Sequence, residues 1–357
     1  MIKVGLKEVA ERAGCSAMTV SNVLNKRRSV KPEIAERVLK AVNDLGYQPS
    51  QWARRLAFRR TGNGHSHAPL TRRFGCIMDI PATGKYADPY YGEIMEALET
   101  ELNQRNYELS FVEQWNHLAG SERMGRILNP ENIDVLVLLS CENVLPEVKR
   151  YLKNIVVLGN FFLDRTVDYV SCDMVNSGRV ATQHLLDLGH HRIAYIGPQL
   201  APECASHERE TGYRLALMNH PERLEPKIIH VNTSSWQEVY EKVPELLRGP
   251  DRPTAIFAHC DLNAVAVIKA ANSLGLKVPE DLSVVGFNDD YLAKLSHPAL
   301  TTIRVDKVGI GKIVAQAGVD RLENPGIPPR ISIVPGELVI RDSCAPVGTA
   351  GVSHRSK

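Results

Sequence analysis

The sequence predicts a multi-domain α+β chain: a small all-α head, then a large α/β body built on parallel sheets. Three observations carry this expectation. Apolar residues recur at helical spacing through residues 6–45, strand-like and helical runs alternate from Phe74 onward, and charge is divided unevenly between the two parts. Residues 1–73 hold fifteen Lys/Arg against five Asp/Glu, whereas residues 74–357 hold 28 against 36. A basic end on a larger acidic body points to a polyanion-binding module on a soluble carrier. At 357 residues and 43% hydrophobic content, the chain can bury more than one core.

In the head, Leu6, Val9, Ala10 and Ala13 fall at i, i+3, i+4 and i+7, one face of a first helix. Gly14-Cys15-Ser16 breaks it, and Ser16 is a good N-cap for a second helix from Ala17 to Asn25, with Val20, Val23 and Leu24 inward. Pro32 suits the first turn of a third helix, with Val38, Val42 and Leu45 inward and Gly46 ending it. The first two helices and their tight turn make a helix-turn-helix unit. The outward face of the second helix reads Ala17, Met18, Ser21, Asn22 and Asn25, with Thr19 in the first turn. Short hydroxyl and amide groups at a helix N-terminus suit phosphate, Asn22 suits a base edge, and Met18 suits a thymine methyl. Lys26, Arg27, Arg28 and Lys31 follow with positive charge, so DNA binding is expected over a generic three-helix module that binds protein.

The next stretch, SQWARRLAFRRTGNGHSHAPLTRR from Ser50 to Arg73, is contradictory as composition. Trp52, Leu56 and Phe58 do not suit a solvated linker; Arg54, Arg55, Arg59 and Arg60 do not suit a core helix. Residues 61–73 then turn to Gly, His, Ser and Pro, as in a flexible connection.

In the body, FGCIMDI, YELSFV, IDVLVLL and NIVVLGN read as strands, separated by helical runs such as YYGEIMEALETELNQRN with Ile94, Leu98 and Leu102 on one side. Such alternation predicts a parallel sheet covered on both faces, and roughly 270 residues is too long for one sheet, so two lobes are expected. The run PATGKYADPYYG lacks the GxGxxG of dinucleotide binding, and no GxSxG elbow is present. Neither an enzyme nor a cofactor is expected. The alternative to a regulator is a small-molecule-binding protein or enzyme of α/β type with an incidental basic head. His190 and His191 enter a strand as neighbours, so they point to opposite faces and cannot chelate together; both are read as structural, and no metal is expected.

The seven cysteines (Cys15, Cys76, Cys141, Cys172, Cys204, Cys260, Cys344) form no CxxC pair and suggest reduced thiols. The opening MIKVGLKEVAERAG has no apolar h-region, and no run approaches ~18 apolar residues. A cytoplasmic protein without a membrane partner is expected.

LKEVAERAGCSAMTVSNVLN followed by VKPEIAERVLKAVNDLGYQPSQWARRLA resembles the DNA-binding end of the lactose-repressor/galactose-repressor family of bacterial transcription regulators, over residues 6–57 without gaps. ATQHLLDLGHHRIAYIG, TAIFAHCDLNAVAVIKAANSLGLKVPEDLSVVGFNDD, HPALTTIRVD and ELVIRDSC extend the likeness through the body. The resemblance implies a two-lobed periplasmic-binding-protein-like effector domain of type I, with ligand in the cleft and chain crossings near Asp173, Arg304–Asp306 and Pro335. It implies that Ala17, Met18 and Asn22 face the major groove while Ser16, Thr19, Ser21 and Asn25 hold phosphates. Residues 50–60 become a hinge helix that folds on the operator, with Ala53 and Leu56 in the minor groove, Leu56 as a wedge, and Arg54 and Arg55 near phosphates. The expected division is a head at 1–49, hinge helix at 50–60, linker at 61–73, effector and dimerisation body at 74–345, and a disordered tail at 346–357.

For the cleft, the resemblance places Tyr90 and Tyr91 on an aromatic wall and matches Arg209 to a ligand-reaching arginine. Asn160 and Asn288 follow strands, at the carboxyl ends where ligands bind in open α/β sheets. Asp173 is read as ligand-side or hinge, Trp236 as a far wall or, equally, as core packing, and Asp261 as a helix cap. Gly5, Ser50, Cys260 and Asn288 depart from the family's usual residues. At Asn288 the usual residue is Asp; Asn accepts one bond and donates another, so the family's typical ligands do not transfer directly. The implied function is a homodimeric repressor reading a palindromic DNA operator and answering to a small sugar-like effector. The tail lacks heptad leucines, so no tetramerising coiled coil is expected.

Overall fold

A computed structural model describes residues 6–24, 30–45, 70–79, 89–160, 164–198, 205–231 and 235–348. The chain divides into two compact units, Met1–Thr71 and Arg72–Lys357.

The first unit contains α1 (Leu6–Ala13), α2 (Ala17–Leu24) and α3 (Pro32–Asp44). Val9, Ala10, Ala13, Val20, Val38 and Ala41 meet as its buried core, so the apolar positions at helical spacing do converge. Gly14 turns the chain with φ 60°, a conformation a side chain disfavours, and Cys15 N–H returns to Ala10 O at 3.0 Å. Thr19 N–H donates to Ser16 Oγ at 3.1 Å, which is the expected N-cap of α2. Asn25, Gly46 and the whole hinge segment, with Ala53, Arg54, Arg55 and Leu56, lie outside the described residues.

The second unit carries two six-stranded sheets. One has the order β11-β5-β4-β3-β1-β2: β1 (Arg73–Met78), β2 (Glu108–Gln114), β3 (Val135–Leu139), β4 (Ile155–Leu158), β5 (Asp168–Cys172) and β11 (Ile331–Val334), all parallel. The other has the order β12-β10-β9-β8-β6-β7: β6 (Ile193–Pro198), β7 (Lys227–Val231), β8 (Ala255–Ala258), β9 (Ser283–Asn288), β10 (Thr301–Arg304) and β12 (Glu337–Val339). Only β12 runs antiparallel, along the edge against β10. Burial explains the strand composition: VLVLL of β3 and AIFA of β8 are buried at every position, as a sheet covered on both faces requires.

The described helices used below are α4 (Pro89–Gln104), α5 (Met174–Asp187), α6 (Ala205–Asn219), α7 (Trp236–Arg248), α8 (Asp261–Ser273), α9 (Tyr291–Leu295) and α10 (Lys307–Glu323). The chain passes between lobes three times: from β5 into α5, from β10 into α10, and from β11 to β12. These are the crossings expected near Asp173, Arg304–Asp306 and Pro335. Two of them use the same local device. Asp173 caps α5 by accepting from Asn176 N–H at 3.0 Å, and Asp306 caps α10 by accepting from Gly309 N–H at 2.8 Å, with nearly identical backbone angles. Asp173 N–H also donates to Val334 O at 2.9 Å, tying the first crossing to the third.

Glycine sets how closely the helices pack. A Cβ on Gly212 would lie 2.1 Å from Val175 O, and one on Gly178 would lie 2.5 Å from Arg209 O, so α5 and α6 cross with backbones nearly touching. Gly311 plays the same part where α10 meets α4 at Ile94 O. Ordered backbone passes the expected end of the body at residue 345, for Val347 N–H donates to Leu188 O at 2.9 Å. Among the described residues, no helix is long and apolar enough to cross a membrane.

Candidate nucleic-acid interface and candidate ligand cleft

In the head, Val20 is buried while Ser16, Ala17 and Met18 are exposed, Met18 at 66%. An exposed thioether on a small domain is available for apolar contact rather than spent on the core. Thr19 and Asn22 are partly exposed on the same helix. The Ser16 and Thr19 hydroxyls also bond each other at 2.9 Å, so both sit at the positive end of α2, beside its unsatisfied N–H groups.

In the body, the cleft residues come from strand ends and from the helix starts that follow them. Arg209, 7% exposed on α6, stacks its guanidinium 4.2 Å from the Phe287 ring centroid and donates through Nη1 to His259 O at 2.9 Å. His259, at the end of β8, is held neutral: burial lowers its pKa well below the usual range, and the neighbouring Arg209 charge lowers it further. Arg209 Nε is buried with no hydrogen-bond partner among the described residues. So is Asn288 Oδ1, on a residue 7% exposed at the carboxyl end of β9. Asn288 and Asp289 have φ of 106° and 52°, so two consecutive non-glycine residues hold strained backbone at the carboxyl end of β9.

Asp289 and Asp290 explain how that turn is held. Asp289 bonds Arg304 Nε at 2.9 Å and Arg341 at 2.6 Å; burial would raise its carboxyl, but the two guanidinium hydrogen bonds outweigh burial and hold it below the usual range. Asp290 Oδ1 receives Lys307 Nζ at 2.9 Å, and the same ammonium reaches Glu93 Oε1 on α4 at 2.8 Å. Lys307 therefore joins the lobes, because it opens α10 on the first and meets Asp290 on the second.

On the facing lobe, Tyr90 and Tyr91 open α4 edge-to-face at 4.9 Å. Tyr91 Oη bonds Ser140 Oγ at 2.5 Å, at the end of β3. Burial drives the Tyr90 hydroxyl far above its ordinary value, so it stays protonated. Asn160, past the end of β4, donates through Nδ2 to Glu208 Oε2 at 2.5 Å, accepts from Ser171 Oγ at 2.5 Å, and gives its N–H to Glu142 Oε1 at 3.0 Å.

The structure thus brings Asn160 to α6 beside Arg209, and it places Phe287, next to Asn288, under the guanidinium. Trp236 opens α7, is 38% exposed, and has its ring 5.4 Å from Lys269 Nζ on α8. Asp173 serves as the α5 cap. The cap role expected of Asp261 is corrected: it is the first residue of α8, fully buried, and accepts from Asp290 N–H at 2.7 Å and Thr302 Oγ1 at 2.6 Å. Burial pushes its carboxyl up to about 7. His190 is structural, its ring nitrogens 3.0 Å from Thr254 Oγ1, Ser283 Oγ and Ala345 O. Glu208, Glu142, His259 and Lys307 were not singled out from sequence. Glu208 precedes Arg209 in sequence, and Glu142, His259 and Lys307 follow strand ends; those positions alone could have pointed to them.

Residues 5–50 match the lacI family of bacterial regulatory proteins, and residues 182–344 match a periplasmic binding protein-like domain. The HTH-type transcriptional regulator CelR of Thermobifida fusca is 30% identical over 345 residues, spanning 95% of this chain and 97% of that one. The HTH-type transcriptional repressor PurR of Escherichia coli O139:H28 is 31% identical over 355 residues, spanning 95% and 96%. A solved transcriptional regulator CelR-cellobiose complex is 27% identical, has a TM-score of 0.66, and is matched over 95% of this chain and 99% of its own. Head and body together place the chain in the lacI family of bacterial regulatory proteins: it is a DNA-binding transcriptional regulator and not an enzyme.

Proposed function

We propose that this regulator is a cytoplasmic repressor that binds a palindromic operator as a homodimer and responds to a small, sugar-like effector in the cleft between its lobes. The observation that carries the effector site is the pair of buried, unpartnered groups, Arg209 Nε as donor and Asn288 Oδ1 as acceptor. Leaving such groups unsatisfied costs about 1–3 kcal/mol each, and a polyhydroxylated ligand offers an acceptor to one and a donor to the other. Tyr90 and Tyr91 supply the apolar face that a sugar ring stacks on. The CelR-cellobiose complex supports the sugar class.

For DNA, Ala17, Met18 and Asn22 face the major groove, with Ser16, Thr19, Ser21 and Asn25 on phosphates and Ala53, Arg54, Arg55 and Leu56 at the central minor groove. Each head reads one half-site, which requires two copies on a two-fold operator. The effector acts only if it prefers one lobe arrangement, and the connection over 61–73 carries that preference to the heads. The test is selection of bound fragments from random genomic DNA, with and without cellobiose and a panel of monosaccharides, for wild type and Arg209→Ala. Enrichment of a palindrome, released or tightened by a sugar in wild type only, is the expected result. Enrichment of no palindrome would overturn the operator reading, and an Arg209→Ala response equal to wild type would overturn the site.

A further inference from the structure

We propose that Glu208 clasps the two lobes across the cleft through Asn160, and that lobe closure is thereby proton-linked. Asn160 belongs to the first lobe and Glu208 to α6 of the second, so their 2.5 Å hydrogen bond spans the cleft directly. Asn160 is held from three sides: Nδ2 donates to Glu208, its backbone N–H donates to Glu142, and its side-chain oxygen accepts from Ser171 Oγ. Gly159 lets Glu142 sit against this backbone, for a Cβ there would meet Glu142 Oε1 at 1.7 Å. A ligand that takes the Asn160 Nδ2–H bonded to Glu208 must displace Glu208.

The charges around the clasp are unbalanced. Glu208 faces Glu142 beyond β3, Asp173 at the start of α5, the Cys172 thiol at the end of β5, and Arg209 on its own helix. Burial holds the thiol neutral, so three carboxyl groups share one guanidinium, which is already committed to His259 O. Burial in the closed arrangement pushes the Glu208 carboxyl up to about 7, against the Asn160 hydrogen bond and the Arg209 charge, and Asp173 and Glu142 push the same way. Opening returns Glu208 to water and to the ordinary glutamate range. The closed state binds the proton more tightly, so acid favours closure. Closure weakens as pH rises from the solvated value through about 7, by up to about tenfold per pH unit within that window.

The inference rests on the cleft being the effector site, but it concerns the ligand-free protein, so its test needs no effector. Spin labels at exposed Thr100 on α4 and exposed Asn272 on α8 report the distance between lobes in the full chain. Between about pH 5 and about pH 8 the wild-type distribution is expected to move from the closed to the more open distance, while Glu208→Gln, neutral and able to keep the bond to Asn160, stays closed throughout. A wild type whose distances do not change with pH, or a Glu208→Gln chain with the same transition, overturns the proposal. Thermal melting of the variant checks that it remains folded. Loss of sugar binding with the pH transition intact would instead count against the effector class alone.

Discussion

Lys307→Met is the sharpest test of how the lobes are held together. Lys307 is 4% exposed, with Nζ 2.9 Å from Asp290 and 2.8 Å from Glu93. Met keeps most of the apolar stem and volume, so the loss is mainly electrostatic. Glu93 is 49% exposed at its side chain and returns to water at little cost, about 0–1 kcal/mol. Asp290 is 11% exposed at its side chain and stays behind in the turn after β9. Removing one partner of a buried pair costs about 3–5 kcal/mol, and this residual access to water places the expected loss near the lower end, about 3 kcal/mol. At roughly 2–4 °C per kcal/mol for a unit of this size, the main thermal transition of the full chain should fall by about 6–12 °C. Burial lowers the Lys307 pKa, but its bonds to Asp290 and Glu93 outweigh burial and raise it. Its contribution is therefore complete below the ordinary lysine value and lost only as pH rises through the elevated one, so the loss should be the same at pH 6 and pH 8. Adding Asp290→Asn should restore much of the stability, since no buried charge is then left alone. A shift below about 2 °C in the single variant, or a double variant no better than the single, would refute the argument that Lys307 neutralises a buried Asp290.

Ser16→Ala removes the α2 cap and should cost the head about 1 kcal/mol, read in its melting transition. Leu56→Ala should weaken specific operator binding while leaving the melting of the full chain unchanged; equal operator affinity in a titration would count against the wedge. Gly212→Ala forces a methyl to 2.1 Å from Val175 O, and should destabilise the body by about 1–3 kcal/mol in a thermal melt and weaken sugar binding by displacing Arg209. A melt identical to wild type would show that α5 and α6 can separate without cost.

Much of the fold was legible because local rules and burial agree. The head follows from helical spacing, Ser16 and Gly14, and its three apolar stripes converge as periodicity requires. Strands β3 and β8 are continuous apolar runs because both faces are covered. The strand β5, DYVSC, did not read as one. Its Asp168 is 2% exposed, and only Arg321, reached from α10 at 2.7 Å, and the Arg330 N–H at 2.8 Å make that burial tolerable. Those partners lie more than 150 residues away, so no window along the sequence contains the reason. Asp261 reads in the sequence as a helix cap for the same cause: it opens a helix, and only its distant partners, Asp290 and Thr302, show it to be a buried tie.

The three crossings and Arg209 came from the resemblance to the family; the sequence by itself determined the head, the alternation that builds two parallel sheets, and Asn160 and Asn288 as strand-end positions. These depend on periodicity and on residues within one or two turns of each other. The tertiary structure alone decided which charges meet: Glu208 against Asn160, Lys307 between Glu93 and Asp290, and Trp236 beside Lys269. Each joins segments distant in the chain, and its strength depends on how much water the fold excludes around it, a quantity that exists only once the lobes have closed over it.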